Sequence, residues 1–199
     1  RLWTPTYNEN EGYGAVTGNA IFAFRRYAED WFLRDDAGAR GIPGADRGAR
    51  YKNGVTASID LYDWIATTSA ITSYTQLGKT NAIAAANVYL TQPGVLFNPA
   101  KATEQIACQA YIDFFKQPME AWAWWRRTGF PNTTSVLKWS PLTSSGSPLT
   151  VPRRAAISVL TSADANYANQ QAAIAHMESI SYFGSSPADF TGRVWWDMP

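Results

Sequence analysis

Little in this chain of 199 residues supports metal or covalent chemistry, because it holds one cysteine and one histidine. A lone Cys108 closes no intrachain disulfide and says nothing about redox compartment. With His176 as the one imidazole, Ser-His-Asp, Cys-His and two-histidine zinc arrangements each rest on a single candidate. A structural or exposed role is expected for it. Cys108 stands among Ile106, Ala110 and Tyr111, the setting of a buried, inert thiol. Charge is also sparse: Asp, Glu, Lys and Arg make up 17% of the chain, and the net charge is +1. No basic field is available to hold nucleic acid or anionic lipid. No run reaches the roughly 18 to 20 apolar residues that span a bilayer as a helix. The chain opens at Arg1, without Met, in a loop-like stretch, which reads as a fragment or processed product.

What the sequence has in quantity is aromatic rings: nine Trp, ten Tyr and nine Phe. They crowd most densely in Glu120-Ala-Trp-Ala-Trp-Trp-Arg-Arg-Thr-Gly-Phe-Pro131. Trp122 and Arg126 are four apart and share a helix face, whereas Trp124 and Trp125 point elsewhere. Arg126 and Arg127 oppose the carbonyl end of the helix dipole, Gly129 suits a left-handed closing residue, and Pro131 prevents resumption. This spacing predicts a helix held on several sides and stopped hard.

Elsewhere the pattern is helical with long loops. Residues 1–19 form an aromatic loop with Pro5, Gly12, Gly14 and Gly18. Its Asn8-Glu9-Asn10-Glu11-Gly12 run offers oxygens but lacks EF-hand spacing, and a solvated loop is expected. Apolar residues at three and four predict a helix over residues 20–39, using Phe24, Tyr27, Ala28, Trp31 and Phe32. A second helix starts at Asp46 and carries Tyr51, Val55, Ile59, Tyr62 and Ile65, so the two make a hairpin of the size used in TPR-type repeats. A short Ala-rich helix over 81–90 stops at Pro93-Gly94. Asn98-Pro99 caps the next, in which Ile106, Ala110 and Phe114 form one row and Tyr111 and Phe115 the adjacent row. Pro118 breaks it. Residues 132–150 read as a long loop, containing the glycan-acceptor pattern Asn132-Thr-Thr134, and a last helix is expected over 163–175. These readings divide the chain into 1–97, an aromatic loop with a helical hairpin and short helix, and 98–199, further helices and loops, as one continuous unit.

Paired carboxylates at Glu29/Asp30, Asp35/Asp36 and Asp60/Asp63 are the remaining catalytic candidates, in the manner of a glycosidase. For Asp60 and Asp63 an exposed acidic stripe is the favoured reading. Loop rings point elsewhere. Sugar rings present C–H faces to Trp and Tyr, and Trp3, Tyr7, Tyr13 and Trp139 are the candidate ligand-binding residues.

Several motifs fall in a specific order: Tyr27-Ala-Glu29, Tyr89-Leu-Thr-Gln-Pro-Gly-Val95, Glu104-Gln-Ile106, Glu120-Ala-Trp122 and Arg126-Arg-Thr-Gly-Phe-Pro131. Val151-Pro-Arg-Arg154, Asn166-Tyr167 and Val194-Trp-Trp-Asp197 follow. In order and spacing the chain resembles the SusD/RagB family of outer-membrane nutrient-binding lipoproteins, over their C-terminal portion. It departs where the family commonly has Ala-Glu-Ala, with Asp35-Asp36-Ala37 here, and where Trp124 stands at an often acidic position. The resemblance implies a mainly α fold of TPR-like hairpins with long irregular loops. It implies a surface-exposed subunit of a Gram-negative outer membrane, held by an N-terminal lipid anchor not present in this chain. Such a subunit binds oligosaccharide or peptide and delivers it to a SusC-type TonB-dependent transporter, without catalysis, cofactor or metal. Trp122, Arg126, Arg127, Gly129 and Pro131 then serve architecture. A helical-repeat scaffold binding only protein, and a glycoside hydrolase fragment, are the alternatives.

Overall fold

The computed structural model describes residues 26–42, 46–69 and 74–197, and the backbone of 6–8 and 17–19. Two short strands, β1 (Thr6–Asn8) and β2 (Thr17–Asn19), pair antiparallel with Tyr7 opposite Gly18. Helices follow: α1 (Tyr27–Ala39), α2 (Arg47–Thr68), α3 (Lys79–Tyr89), α4 (Ala102–Asp113) and α5 (Pro118–Thr128). Beyond them lie the two-residue strands β3 (Thr143–Ser144) and β4 (Ser147–Pro148) and a final helix, α6 (Tyr167–Glu178). The fold is mainly helical, as the periodicity predicts. The chain separates into two compact units, Arg1–Lys138 and Trp139–Pro199.

In the first unit, α1 and α2 form the expected hairpin. Asp46 caps α2 by accepting from the Ala49 N–H at 3.3 Å, satisfying one of the donors left open at a helix start. Gly54 lets the two helices approach: a Cβ there would lie 2.5 Å from Cε1 of the fully buried Phe32. Phe32, Tyr51 and Val55 meet Ala102, Ile106, Ala110 and Phe114 of the α4 region and Trp124 of α5 in one apolar core. Every residue of α4 from Gln105 to Ala110 is buried, so α4 is the central helix. Tyr27, expected among the inward positions of α1, is 68% exposed, and Phe115 is 80% exposed. The physical reason at Phe115 is a change of period: α4 ends at Asp113 and residues 114–116 tighten into a 3-10 turn, which keeps Phe114 inside and turns its neighbour out.

Local chemistry then fixes the loops. Gln105 accepts from the Asn98 N–H at 2.8 Å and donates to the carbonyls of Gly94 at 2.7 Å and Leu96 at 2.9 Å. Tyr51 Oη donates to the Val95 carbonyl at 3.0 Å. The Gln-Pro-Gly-Val motif is thereby clamped to the core. Glu104 accepts from the Val136 N–H at 2.7 Å, and Asn132 accepts from the N–H groups of Thr134 and Ser135 while donating to the Gly129 carbonyl. The Asn132 side chain is thus engaged in holding its own turn.

In the second unit, β3 and β4 form a hairpin whose turn carries Ser145 and Gly146 at positive φ. The helix expected over 163–175 begins later, at Tyr167, because residues 161–166 are held in turns by Asp164, which accepts from the Thr161 N–H and hydroxyl, each at 2.8 Å. Asp197 is fully buried and receives Arg153 through Nε at 2.8 Å and Arg193 through Nη1 at 3.5 Å. That places the Trp-Trp-Asp motif in a charge-assisted lock.

Candidate functional site

The Trp-Arg segment forms α5 and ends where the sequence predicts. Gly129 adopts φ 75° in the left-handed region, its N–H bonded to the Trp125 carbonyl at 2.7 Å. Pro131 is fully buried and follows a cis peptide bond. The Arg126 guanidinium lies 4.2 Å from the centre of the Trp122 ring and Arg127 lies 4.6 Å from that of Trp124, within the range of cation–π attraction. Arg127 also bonds Asp36 of α1, which receives Arg40 Nε at 3.1 Å. Trp122, Arg126, Arg127, Gly129 and Pro131, the residues expected to serve architecture, lie in α5 and the turn that follows it.

A residue that the sequence did not single out organises the hairpin's base. Arg26, 4% exposed at the start of α1, pairs with Asp113 at 3.4 Å and donates to the Asp113 carbonyl, to Tyr62 Oη at 3.2 Å and to Gln117 Oε1 at 2.6 Å. Its guanidinium lies 4.8 Å from the Phe114 ring centre. Burial raises the Asp113 carboxyl above the usual carboxylate range, and Arg26 opposes that rise. Such a group of buried charges stands only when it is mutually paired.

The catalytic candidates are distributed differently from expectation. Asp63 is buried rather than part of an exposed stripe: it accepts from Tyr74 Oη at 2.6 Å, the Leu77 N–H at 2.7 Å and the Gly78 N–H at 3.1 Å. The bond from Tyr74 leads in holding its pKa below the ordinary value. Both its oxygens are thereby committed to fixing the connection into α3. Cys108 is a buried free thiol whose pKa is pushed up by burial, which disfavours the nucleophilic thiolate. His176 is exposed in the last turn of α6. Among the described residues, no group of three or more His, Cys, Asp or Glu is placed to hold a metal, and no helix is long and apolar enough to cross a membrane.

Of the four rings expected to meet ligand, Trp3 and Tyr13 lie outside the described residues, and Tyr7 is described only in its backbone. Trp139 is half-buried at the start of the second unit. The described residues contain a further aromatic surface that sequence reasoning missed. An open groove of about 600 Å³ runs between α1, α2 and α3, lined by Tyr27, Trp31, Asn53, Asp60, Trp64 and Lys79 among others. Tyr27 and Trp31 meet edge to face with centroids 5.6 Å apart. The signal was present in the spacing: Asn53, Thr56, Asp60 and Trp64 recur at three and four along α2, one stripe of a helix.

Residues 6–156 match the SusD-like family described as starch-binding and associating with the outer membrane. The chain belongs to that family. Among solved structures it is similar to a SusD-like protein of Bacteroidetes, at 24% identity and a TM-score of 0.58 over 93% of this chain and 32% of that one. It is also similar to a chitin-binding protein, at 26% identity and a TM-score of 0.54 over 92% of this chain and 34% of the other. A SusD homologue from Bacteroides fragilis aligns at 21% identity and a TM-score of 0.57, over 92% and 36% respectively. This SusD-like chain spans about a third of the length of those proteins. No curated protein matches it.

Proposed function

We propose that the protein is a cell-surface nutrient-binding subunit of a Gram-negative outer membrane that holds a glycan and hands it to a SusC-type TonB-dependent transporter, without chemistry. The observation that carries the reading is the family match over residues 6–156, with its description of starch binding and outer-membrane association. The likeness to a chitin-binding protein supports carbohydrate as the ligand class. The disposition of Cys108 and Asp63 supports binding without catalysis, since a buried thiol and a carboxylate with both oxygens bonded are poorly placed to react. Trp3, Tyr7, Tyr13 and Trp139 are the loop-borne rings through which it would stack on sugar. Anchoring would come from a lipid on a segment outside this chain.

Affinity purification of the tagged full-length protein from detergent-solubilised outer membranes tests the assignment. Stoichiometric recovery of a TonB-dependent barrel is expected. Recovery of the protein alone would refute the transporter half of the proposal.

A further inference from the structure

The geometry points to the groove between α1, α2 and α3 as a binding site for a short segment of a neutral glycan, distinct from the loop rings. This assignment rests on the glycan-binding reading above and locates a site that the loop residues do not include.

Three observations carry it. The first is the surface: Tyr27 is 68% and Trp64 38% exposed, and with Trp31 they line one groove of about 600 Å³. That volume lies within the roughly 300–1,000 Å³ of small-molecule sites. Partly exposed flat rings suit the C–H face of a pyranose, whereas the docking of a protein helix favours a continuous row of apolar side chains. The second is unused hydrogen-bonding capacity. Asn53, Asp60 and Lys79 line the same groove and make no side-chain hydrogen bond or ion pair among the described residues. On the same hairpin, Arg26, Asp36, Tyr62 and Asp63 are all engaged with protein partners. An amide, a carboxylate and an ammonium together supply donors and acceptors in the mixture that vicinal hydroxyls require. The third is charge. The lining combines Asp60 with Lys79 and the committed Arg26, which offers no cluster of unpaired cations for a sulfated or uronic chain.

The α2 stripe sets the arrangement. Asn53, Asp60 and Trp64 occupy one face over three turns, so the polar groups lie in line with the indole rather than opposite it. Tyr27 and Trp31, four apart on α1, belong to the same lining. A sugar stacked on Trp64 would therefore present its hydroxyl edge towards Asp60, with Lys79 at the α3 side.

Tryptophan fluorescence and calorimetric titrations of the full-length protein with maltohexaose, cellohexaose and chitohexaose provide the test. Wild type is expected to bind at least one of the three. Trp64→Ala should weaken that binding about tenfold or more and Trp64→Phe far less, as expected for a ring that anchors a contact. Asp60→Asn and Asn53→Ala alter half-buried and exposed positions and should each weaken binding about threefold to tenfold, with unchanged circular dichroism. If wild type binds and Trp64→Ala, Asp60→Asn and Asn53→Ala bind equally well while Trp139→Ala does not, glycan binding stands and the groove assignment is overturned. A groove occupied by protein would give that same result. If wild type binds none of the three glycans, the groove assignment and the glycan reading fall together.

Discussion

Arg127, in the last turn of α5, donates through Nη1 to Oδ2 of Asp36 on α1, 91 residues earlier in the chain. The arginine thus finds its carboxylate on another helix. Trp124 itself remains in the core and receives the Arg127 guanidinium over its ring. The Arg-Arg-Thr-Gly-Phe-Pro motif therefore joins the C-terminal end of α5 to the hairpin.

Removing either partner should be felt. Asp36 is 6% and Arg127 29% exposed at the side chain, so solvent screens the pair in part and a loss of about 1–3 kcal/mol is expected for Arg127→Met or Asp36→Asn. Urea denaturation of both single variants and the double variant would check it. The double variant should lose less than the sum of the singles, because each deletion strands the same partner.

Asp35 behaves in the opposite sense to Asp36. It is fully buried, neither of its oxygens has a hydrogen-bond partner among the described residues, and burial raises its pKa to about 7 against opposition from Arg47 and Arg50, with Asp36 and Asp46 adding to the rise. Between the ordinary carboxylate value of 3.8 and about 7, the native state holds a proton that the unfolded state has lost. Stability contributed by Asp35 is thus present at low pH and declines as pH rises through neutrality. Asp35→Asn should stabilise the protein relative to wild type at pH 8 and lose that advantage near pH 4. Thermal denaturation at a series of pH values reads this directly, and a difference independent of pH would contradict it.

Gln105→Ala should release the loop over residues 94–98. Three hydrogen bonds from one buried side chain are lost, and a loss of about 1–3 kcal/mol is expected for the groups left unpaired. Hydrogen exchange should accelerate at the Asn98 amide, with circular dichroism of the helices unchanged.

Gly54→Ala is expected to cost about 1–3 kcal/mol through overpacking. The added Cβ meets the Phe32 ring at 2.5 Å, and Phe32 has no exposed side on which to yield. Gly54→Ala combined with Phe32→Leu should recover part of the loss in the same denaturation assay.

What was legible in the sequence is what local chemistry determines. Asp46 at a helix start, Pro118 at a helix start after a break and Gly129 at a helix end each act within a few residues, and all three do as their positions predict. The stripe of Ile106, Ala110 and Phe114 was readable for the same reason. Arg26 was not, since its partners Asp113 and Gln117 lie 87 and 91 residues away and no local period announces them. Asp63 was misjudged because a carboxylate on a helix face reads as solvated until the loop over 74–78 folds back upon it. The groove depended on three helices meeting, so spacing showed only the α2 stripe.

The proposed function is to bind a glycan and leave it unchanged. Isothermal titration of the full-length protein with neutral oligosaccharides, followed by mass spectrometry of the recovered ligand, tests both halves in one sample. Saturable binding of at least one oligosaccharide is expected, with the ligand recovered at its original length after prolonged incubation. Absence of binding across the panel, or recovery of shortened chains with new reducing ends, would contradict it.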